Sequence, residues 1–475
     1  MAGPSEPTPV SHWGCDLRRT YCLWTVAGIL VFGLVGHAEA HIRIDRKILE
    51  LAAASGAPAY VPNEVIVQFN DGVTAARASN VASQFRLRPI EHVRTAAMEY
   101  AGDPGFHVMW TDRPVLEAVA QLNDTPGVAF AEPNYIWRPQ QFNDTHFVNG
   151  TLWGVYGVRS TPSNEFGSRA ADHFLAPLSR PRRTIVAVID TGVQTDHPDL
   201  INNRWVNPFD PVDGIDNDGN GFVDDVFGWN FVSGNNVVFQ SASGDRHGTH
   251  VAGTIAATAN NGIGVVGVSP STQFISVKFL GSSGGSTANA VKAIDYVTDL
   301  KRRHNLPIIA TNNSWGGGGF STALFNAITR AANADILFVA AAGNGGSDGI
   351  GDDNDATPHY PSSYPHDHII AVASITRLGA RSSFSNFGAT SVDIGAPGSG
   401  IRSTIPTNTY GDLSGTSMAT PHVTGALALI ASYSPNRGLS LKNHIMQTAI
   451  PTPSLQGRVV SGGRLNIVMI PSDRF

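Results

Sequence analysis

The sequence predicts an α/β protein, a parallel sheet with helices on both faces, preceded by a small α+β domain of ferredoxin-like plan. Apolar, β-branched runs, each long enough for one buried strand, alternate with amphipathic helical segments from about Thr184 onward, the mark of right-handed βαβ crossovers. Ahead of them lies a segment that reads βαββαβ. The chain has 475 residues, 42% of them hydrophobic, with 50 glycines and a net charge of −6. That is enough core for more than one ordinary domain, without the charge bias of a nucleic-acid or membrane-surface binder.

Taken in order, the elements divide the chain in three. Arg18 and Arg19, the apolar run 23–36 and Ala38-Glu39-Ala40 have the order of a secretory signal peptide with its cleavage site, and the arginine pair loosely matches a twin-arginine signal. The run is shorter than the roughly twenty apolar residues that span a bilayer. Residues 1–40 are therefore read as a cleaved signal, and the product as secreted, extracellular and free of the membrane. Both cysteines, Cys15 and Cys22, fall inside it. A mature chain without disulfides must rely on a large core, bound metal or a high unfolding barrier.

Residues 41–139 form the small domain, with strands at 64–69, 90–100, 106–111 and 128–137 and helices at 74–85 and 113–123. A polar, irregular linker follows at 139–150. In the large domain, 140–475, strands are expected at 184–190, 274–280, 308–314, 336–341 and 369–374, with helices at 287–300 and 321–335. Val291, Ile294 and Val297 recur at one-turn spacing, so one helix face packs on the sheet.

Three strings carry chemistry. Asp190 in VIDTG ends the first strand of the large domain, at the carboxyl edge where open α/β sheets place their sites. His247 stands in HGTHVAG. Ser417, in GTSMATPH, begins a strongly apolar helix, so the positive end of the helix dipole points at its hydroxyl. A serine hydroxyl is a poor nucleophile at neutral pH and needs an adjacent base, for which imidazole is suited, with a carboxylate to orient the ring. Asp, His and Ser in that chain order are one of three known arrangements of such a triad. Taken singly, DTG also marks aspartic proteases, HGTH could offer two imidazoles to a metal, and GTSMA approaches the G-x-S-x-G elbow. The rest of the chain has no second DTG or DSG, no HExxH, and Ala419 where the elbow wants glycine.

With these strings the chain resembles the subtilase family of serine endopeptidases, from about Thr184 to Asn466. The resemblance implies a subtilisin-like sheet, a triad of Asp190, His247 and Ser417 acting through an acyl-enzyme, and polypeptide substrates held as an added strand along 284–286 and 314–316. It implies Asn344, in AAGNGG just past a strand, as a side-chain oxyanion donor beside the Ser417 amide. His250, one turn after His247, is read as a packed structural histidine. EVIVQF and PGVAFAEPNY resemble the ends of the family's propeptide, which templates folding and blocks the cleft until it is cut away. An independent ligand-binding domain of the same plan is the competing reading. The chain is expected to be a self-processed, monomeric zymogen of broad specificity with no nucleic-acid partner. A catalytically dead relative serving as a binding module, or a processing protease with one substrate, are the alternatives.

Calcium is the implied cofactor, at two places. Asp199 in HPDL and Asn261 in NNGIGV, with nearby carbonyls, match the family's tight site, although Ala259 adds one residue. In DNDGNGFVDD, Asp216, Asp218, Asn220 and Asp224 take positions 1, 3, 5 and 9 of an EF-hand-like loop with Gly221 at the sharp turn, and Phe227 stands where a bidentate Glu is expected. A solvated acidic loop is the other reading. A further Asp/Gly-rich stretch, 348–355, is read as a surface loop. HYPSSYP resembles the floor of the primary pocket, which places His359 there with Trp315 on the wall. An imidazolium at His359 would favour acidic side chains below about pH 6.5, its ordinary titration point. In the alternative His359 points outward.

Overall fold

The computed structural model describes residues 60–136, 142–174 and 182–469. The signal-peptide reading, with Cys15 and Cys22, lies outside them, as do positions 139–141 of the expected linker. The chain divides into two compact units, through Ile136 and from Trp137. In the first, strands β1 (Tyr60–Phe69), β2 (Arg88–Val93), β3 (Phe106–Trp110) and β4 (Val128–Tyr135) form an antiparallel sheet in the order β2-β3-β1-β4. Val65 and Val67, alternate residues of β1, turn inward against Val81 and Leu122 of the helices Ala75–Gln84 and Val115–Asn123. The expected strand 90–100 stops at Val93. Ala96–Ala101 is a helix instead, because Thr95 accepts from the Met98 amide at 3.3 Å and Gly102 closes the turn at φ 74°. A good cap at each end and two alanines outweigh the β-branched residues just before them.

The second unit is built on β5 (Ile185–Asp190), β6 (Gly228–Asn230), β7 (Gln273–Lys278), β8 (Ile308–Asn313), β9 (Leu337–Ala341), β10 (Ile369–Ile375), β11 (Ile394–Pro397), β14 (Ile450–Pro451) and β15 (Gly463–Arg464). Their order is β14-β15-β11-β10-β9-β8-β5-β7-β6, parallel throughout except for β14 at one edge. Every residue of β5 is buried, as a strand covered on both faces must be. Val186 and Val188 face the helices Arg246–Ala256 and Thr416–Tyr433, while Ile185, Ala187 and Ile189 face Thr287–His304 and Thr322–Ala332. Strands β6, β11 and β14, and the hairpin of β12 (Ile401–Ile405) and β13 (Thr409–Leu413), have no counterpart in the sequence reading. Each is short, and periodicity does not register in so few residues.

The linker reading needs correction from Phe142 onward. Thr145–Val148 is a short helix with Phe147 in the core, and Asp144, fully buried, accepts from the amides of Asn260 at 2.9 Å and Asn261 at 3.3 Å. This segment is part of the large unit. Among the described residues, no helix is long and apolar enough to cross a membrane.

Candidate active site

Strands β9, β8 and β5 are neighbours in the sheet, and Asn344, Ser314 and Asp190 stand at or just past their carboxyl ends. Asp190 is the last residue of β5 and wholly buried. Its Oδ1 accepts from His247 Nδ1 at 2.8 Å and from the Thr191 amide at 2.7 Å, while its Oδ2 has no partner. With Nδ1 donating, the lone pair of His247 lies on Nε2. Burial by itself would lower the pKa of His247, but the charge and hydrogen bond of Asp190 outweigh it and the net shift is upward.

The frame around this pair is a buried ammonium. Lys278 lies beside Asp190 in the β5–β7 register, and its Nζ donates to the Thr191 carbonyl, to Asp245 Oδ1 at 2.5 Å and to the Leu280 carbonyl at 3.3 Å. Asp245 is the residue just before the helix that carries His247. One cation therefore ties the turn after Asp190 to the helix start before His247. A buried pair of this kind is costly to break, since either partner alone is an uncompensated charge.

Ser417 is the second residue of the helix Thr416–Tyr433. Its amide has no carbonyl one turn back to bond, so it is an open donor at the positive end of the dipole. Pro421, four residues on, lacks an N–H and leaves the Ser417 carbonyl without its helical partner. Ser314 Oγ, just past β8, supplies that bond at 2.8 Å, and Ser417 Oγ in turn donates to the Ser314 carbonyl at 3.1 Å. The hydroxyl of Ser417 is thus on Ser314 here, not on His247. Asn344, three residues past β9, is exposed, and its Oδ1 accepts from the Thr416 amide at 2.8 Å and from Thr416 Oγ1 at 3.0 Å. That commitment leaves Nδ2 as its free donor, next to Ser417.

His250 is buried apart from the ring of His247, with Nε2 on the Ile401 carbonyl at 2.8 Å and its pKa pushed down by burial to about 3. His359 points inward. A Cβ built on Gly316 would lie 2.2 Å from its Cε1, and one on Gly343 would lie 3.1 Å from its Cδ2. The ring fills the space between these two backbones. Burial lowers its pKa, offset in part by Asp352. Trp315 is drawn into the core, edge-on to Phe279 with ring centroids 4.7 Å apart.

The two metal readings differ. Asp199, fully buried, accepts from Asn261 Nδ2 at 2.6 Å, from the Val265 amide at 2.8 Å and from Tyr410. Asp144 is its buried neighbour; burial raises the pKa of both, and among the described residues no cationic side chain bonds either. Two buried carboxylates without a cation, among amides and carbonyls, fit a hard divalent ion. Sequence reading missed Asp144, because the segment reads as a linker. In the acidic loop, Asp216 Oδ1 and Asp218 Oδ1 both accept from the Asn220 amide at 3.0 Å. Asp224 turns away to the amides of Asp213 and Gly214, and Asp225 takes the inner place on Asn220 Nδ2 at 3.0 Å. Asp218 Oδ2 is paired with His304 at 3.0 Å. Among the described residues, no group of three or more His, Cys, Asp or Glu side chains is gathered to hold a metal ion.

A buried Asp–His pair at a strand end and a serine at a helix start are parts from which serine hydrolases are built. Residues 182–464 match the model of the subtilase family, and residues 47–134 match that of the fervidolysin N-terminal prodomain. The chain belongs to the subtilase family of serine endopeptidases, with an N-terminal prodomain. It is 34% identical to the thermophilic serine proteinase of Bacillus sp. (strain AK1), over 90% of this chain and 91% of that one. It is 36% identical to subtilisin amylosacchariticus of Bacillus subtilis subsp. amylosacchariticus, over 67% and 69%, and 39% identical to the alkaline protease of Shouchella clausii, over 71% and 74%.

Proposed function

We propose that the chain is made as a secreted zymogen and matures by its own cut into a monomeric, calcium-stabilised endopeptidase of broad specificity. Ser417 Oγ leaves the Ser314 carbonyl, passes its proton to His247 Nε2 and attacks the scissile carbonyl carbon. Asp190 holds the ring in the tautomer that accepts the proton and stabilises the imidazolium. The Ser417 amide and Asn344 Nδ2 receive the oxyanion. His247 then gives the proton to the leaving amine, and water, activated by the same ring, releases the acyl group from Ser417.

The observation that carries this reading is the 2.8 Å bond between His247 and Asp190, since it leaves a basic nitrogen as the open face of the ring. The proposed domains are a signal over 1–40, an inhibitory propeptide over 41–139 and a protease over 140–475, with the prodomain match over 47–134 and the subtilase match over 182–464 in support of the last two. Asp199, Asn261 and Asp144 would hold a calcium ion, which supplies a structural cross-link and takes no part in the chemistry. The acidic loop of Asp216, Asp218, Asn220 and Asp225 is a second place for such an ion, with Asp224 outside it. Ser417→Ala tests the core of the reading. It should accumulate as folded, uncut proprotein, and a sulfonyl fluoride should label Ser417 in the parent; normal maturation of the variant expressed alone would refute self-processing.

A further inference from the structure

Residues 348–355 take no part in the triad, yet one of them is among the most buried polar residues of the protein. Asn354 is 1% exposed, although it belongs to a stretch composed like a surface loop. Its Nδ2 donates to the Ala342 carbonyl at 2.8 Å, and its Oδ1 accepts from Asn386 Nδ2 at 2.9 Å. Asn386, 3% exposed, holds the other side of the same turn. Its Oδ1 accepts from the Gly345 amide at 2.7 Å, and its own amide donates to the Gly343 carbonyl at 3.0 Å. Gly343 has φ 112°, and a Cβ there would lie 2.5 Å from Asn386 Nδ2, so the approach requires glycine. Ala342, Gly343 and Gly345, the residues around Asn344, are each held by one of two buried asparagines, Gly343 through the backbone amide of Asn386.

We infer that Asn354 and Asn386 are positioning residues that set the aim of Asn344 at the oxyanion. The inference rests on the proposed role of Asn344. An oxyanion donor acts only within about 2.7–3.1 Å of the charge as it develops. Asn344 itself is exposed, so its backbone must be fixed from behind, and the two amides do that without touching substrate. The stretch 348–355 is in this view part of the machinery, since it delivers Asn354 to the back of the turn.

Asn354→Asp is the sharpest test. It keeps the shape and the acceptor for Asn386 but puts an oxygen against the Ala342 carbonyl, turning an attraction into a repulsion. The enzyme is matured in trans by the parent protease, and kcat and KM are referred to sites titrated with a sulfonyl fluoride. Asn354→Asp should lower kcat about 10-fold, part of the roughly 100-fold or greater loss expected when the donor itself is removed, and leave KM nearly unchanged. In an Asn344→Ala background the same substitution should have no further effect, because there is no donor left to misdirect. Losses that multiply in the double variant, or a change carried by KM, would overturn the inference. A normal kcat in Asn344→Ala would instead remove the oxyanion role on which it stands. Should Asn354→Asp give no titratable sites, Asn354→Ala is measured in the same way; failure of both would assign Asn354 to folding and reject positioning.

Discussion

In the proposed mechanism His247 acts as a base only while its ring is neutral, and Asp190 makes that harder. The carboxylate stabilises the imidazolium more than burial disfavours it, so the folded pKa lies above the ordinary imidazole value. The acid limb of kcat/KM should therefore have its midpoint above that value, and Asp190→Asn should move it down while lowering the maximum rate steeply; a limb at the free imidazole position would mean that Asp190 is not ionised beside the ring. His359 has the opposite environment, in which burial lowers its pKa. Wedged between Gly316 and Gly343, it should make the primary pocket shallow. His359→Gly should then raise kcat/KM for substrates with Phe before the cut bond relative to those with Ala by about 10-fold, the scale of a methylene or more of new apolar contact. An unchanged ranking at about pH 5.5 and pH 8 would show that the ring does not line the pocket.

The loop 260–265 is held by charge from two directions. Asp199 reaches it from the segment after β5, and Asp144 from the segment before it, through the amides of Asn260 and Asn261. A cation bound only in the folded state would add RT ln(1 + [L]/Kd), about 2.7 kcal/mol at a hundredfold excess over Kd. Chelator should lower the melting temperature of the inhibited mature enzyme, and Asp199→Ala should remove most of that sensitivity. The same melting curve with and without chelator would reject calcium at this loop. The start of the Ser417 helix shows a related economy of bonds, since Pro421 frees a carbonyl that Ser314 then uses to hold the nucleophile's own residue.

Two buried histidines set a limit on the whole protease in acid. Burial lowers the pKa of His250 to about 3 and that of His422 to about 4, while an unfolded chain would titrate both near the ordinary 6.5. Below that value the unfolded state binds protons that the folded state refuses, so stability falls as the pH drops from 6.5 towards 4. Each histidine contributes a slope of about 1.4 kcal/mol per pH unit in that window. Denaturant unfolding of the inhibited enzyme from about pH 7 to pH 4.5 should show it, and replacing His422 with Gln should flatten the slope by one proton. An unchanged slope in that variant would place the acid sensitivity elsewhere.

The family was legible in the strings around Asp190, His247 and Ser417, because chemistry at a strand end or a helix start demands particular residue types in a particular order, and the subtilase match over 182–464 bears that family reading out. The buried parallel strands were legible for a similar reason, since a strand covered on both faces shows as an unbroken apolar run, as in β5. What lay beyond sequence is what depends on distant partners. The helix Ala96–Ala101 is decided by a capping threonine and a left-handed glycine against a β-branched approach. Asp144 sits in a stretch composed like a linker, and only folding brings it beside Asp199. Asp225 displaces Asp224 from the acidic loop because backbone direction, which composition does not encode, aims one carboxylate in and its neighbour out. Asn354 and Asn386 stand 32 residues apart, and their amides meet only where the sheet brings the two loops behind the same turn. Sequence carries what a residue can do; the partner that each polar group finds across the fold decides what it does.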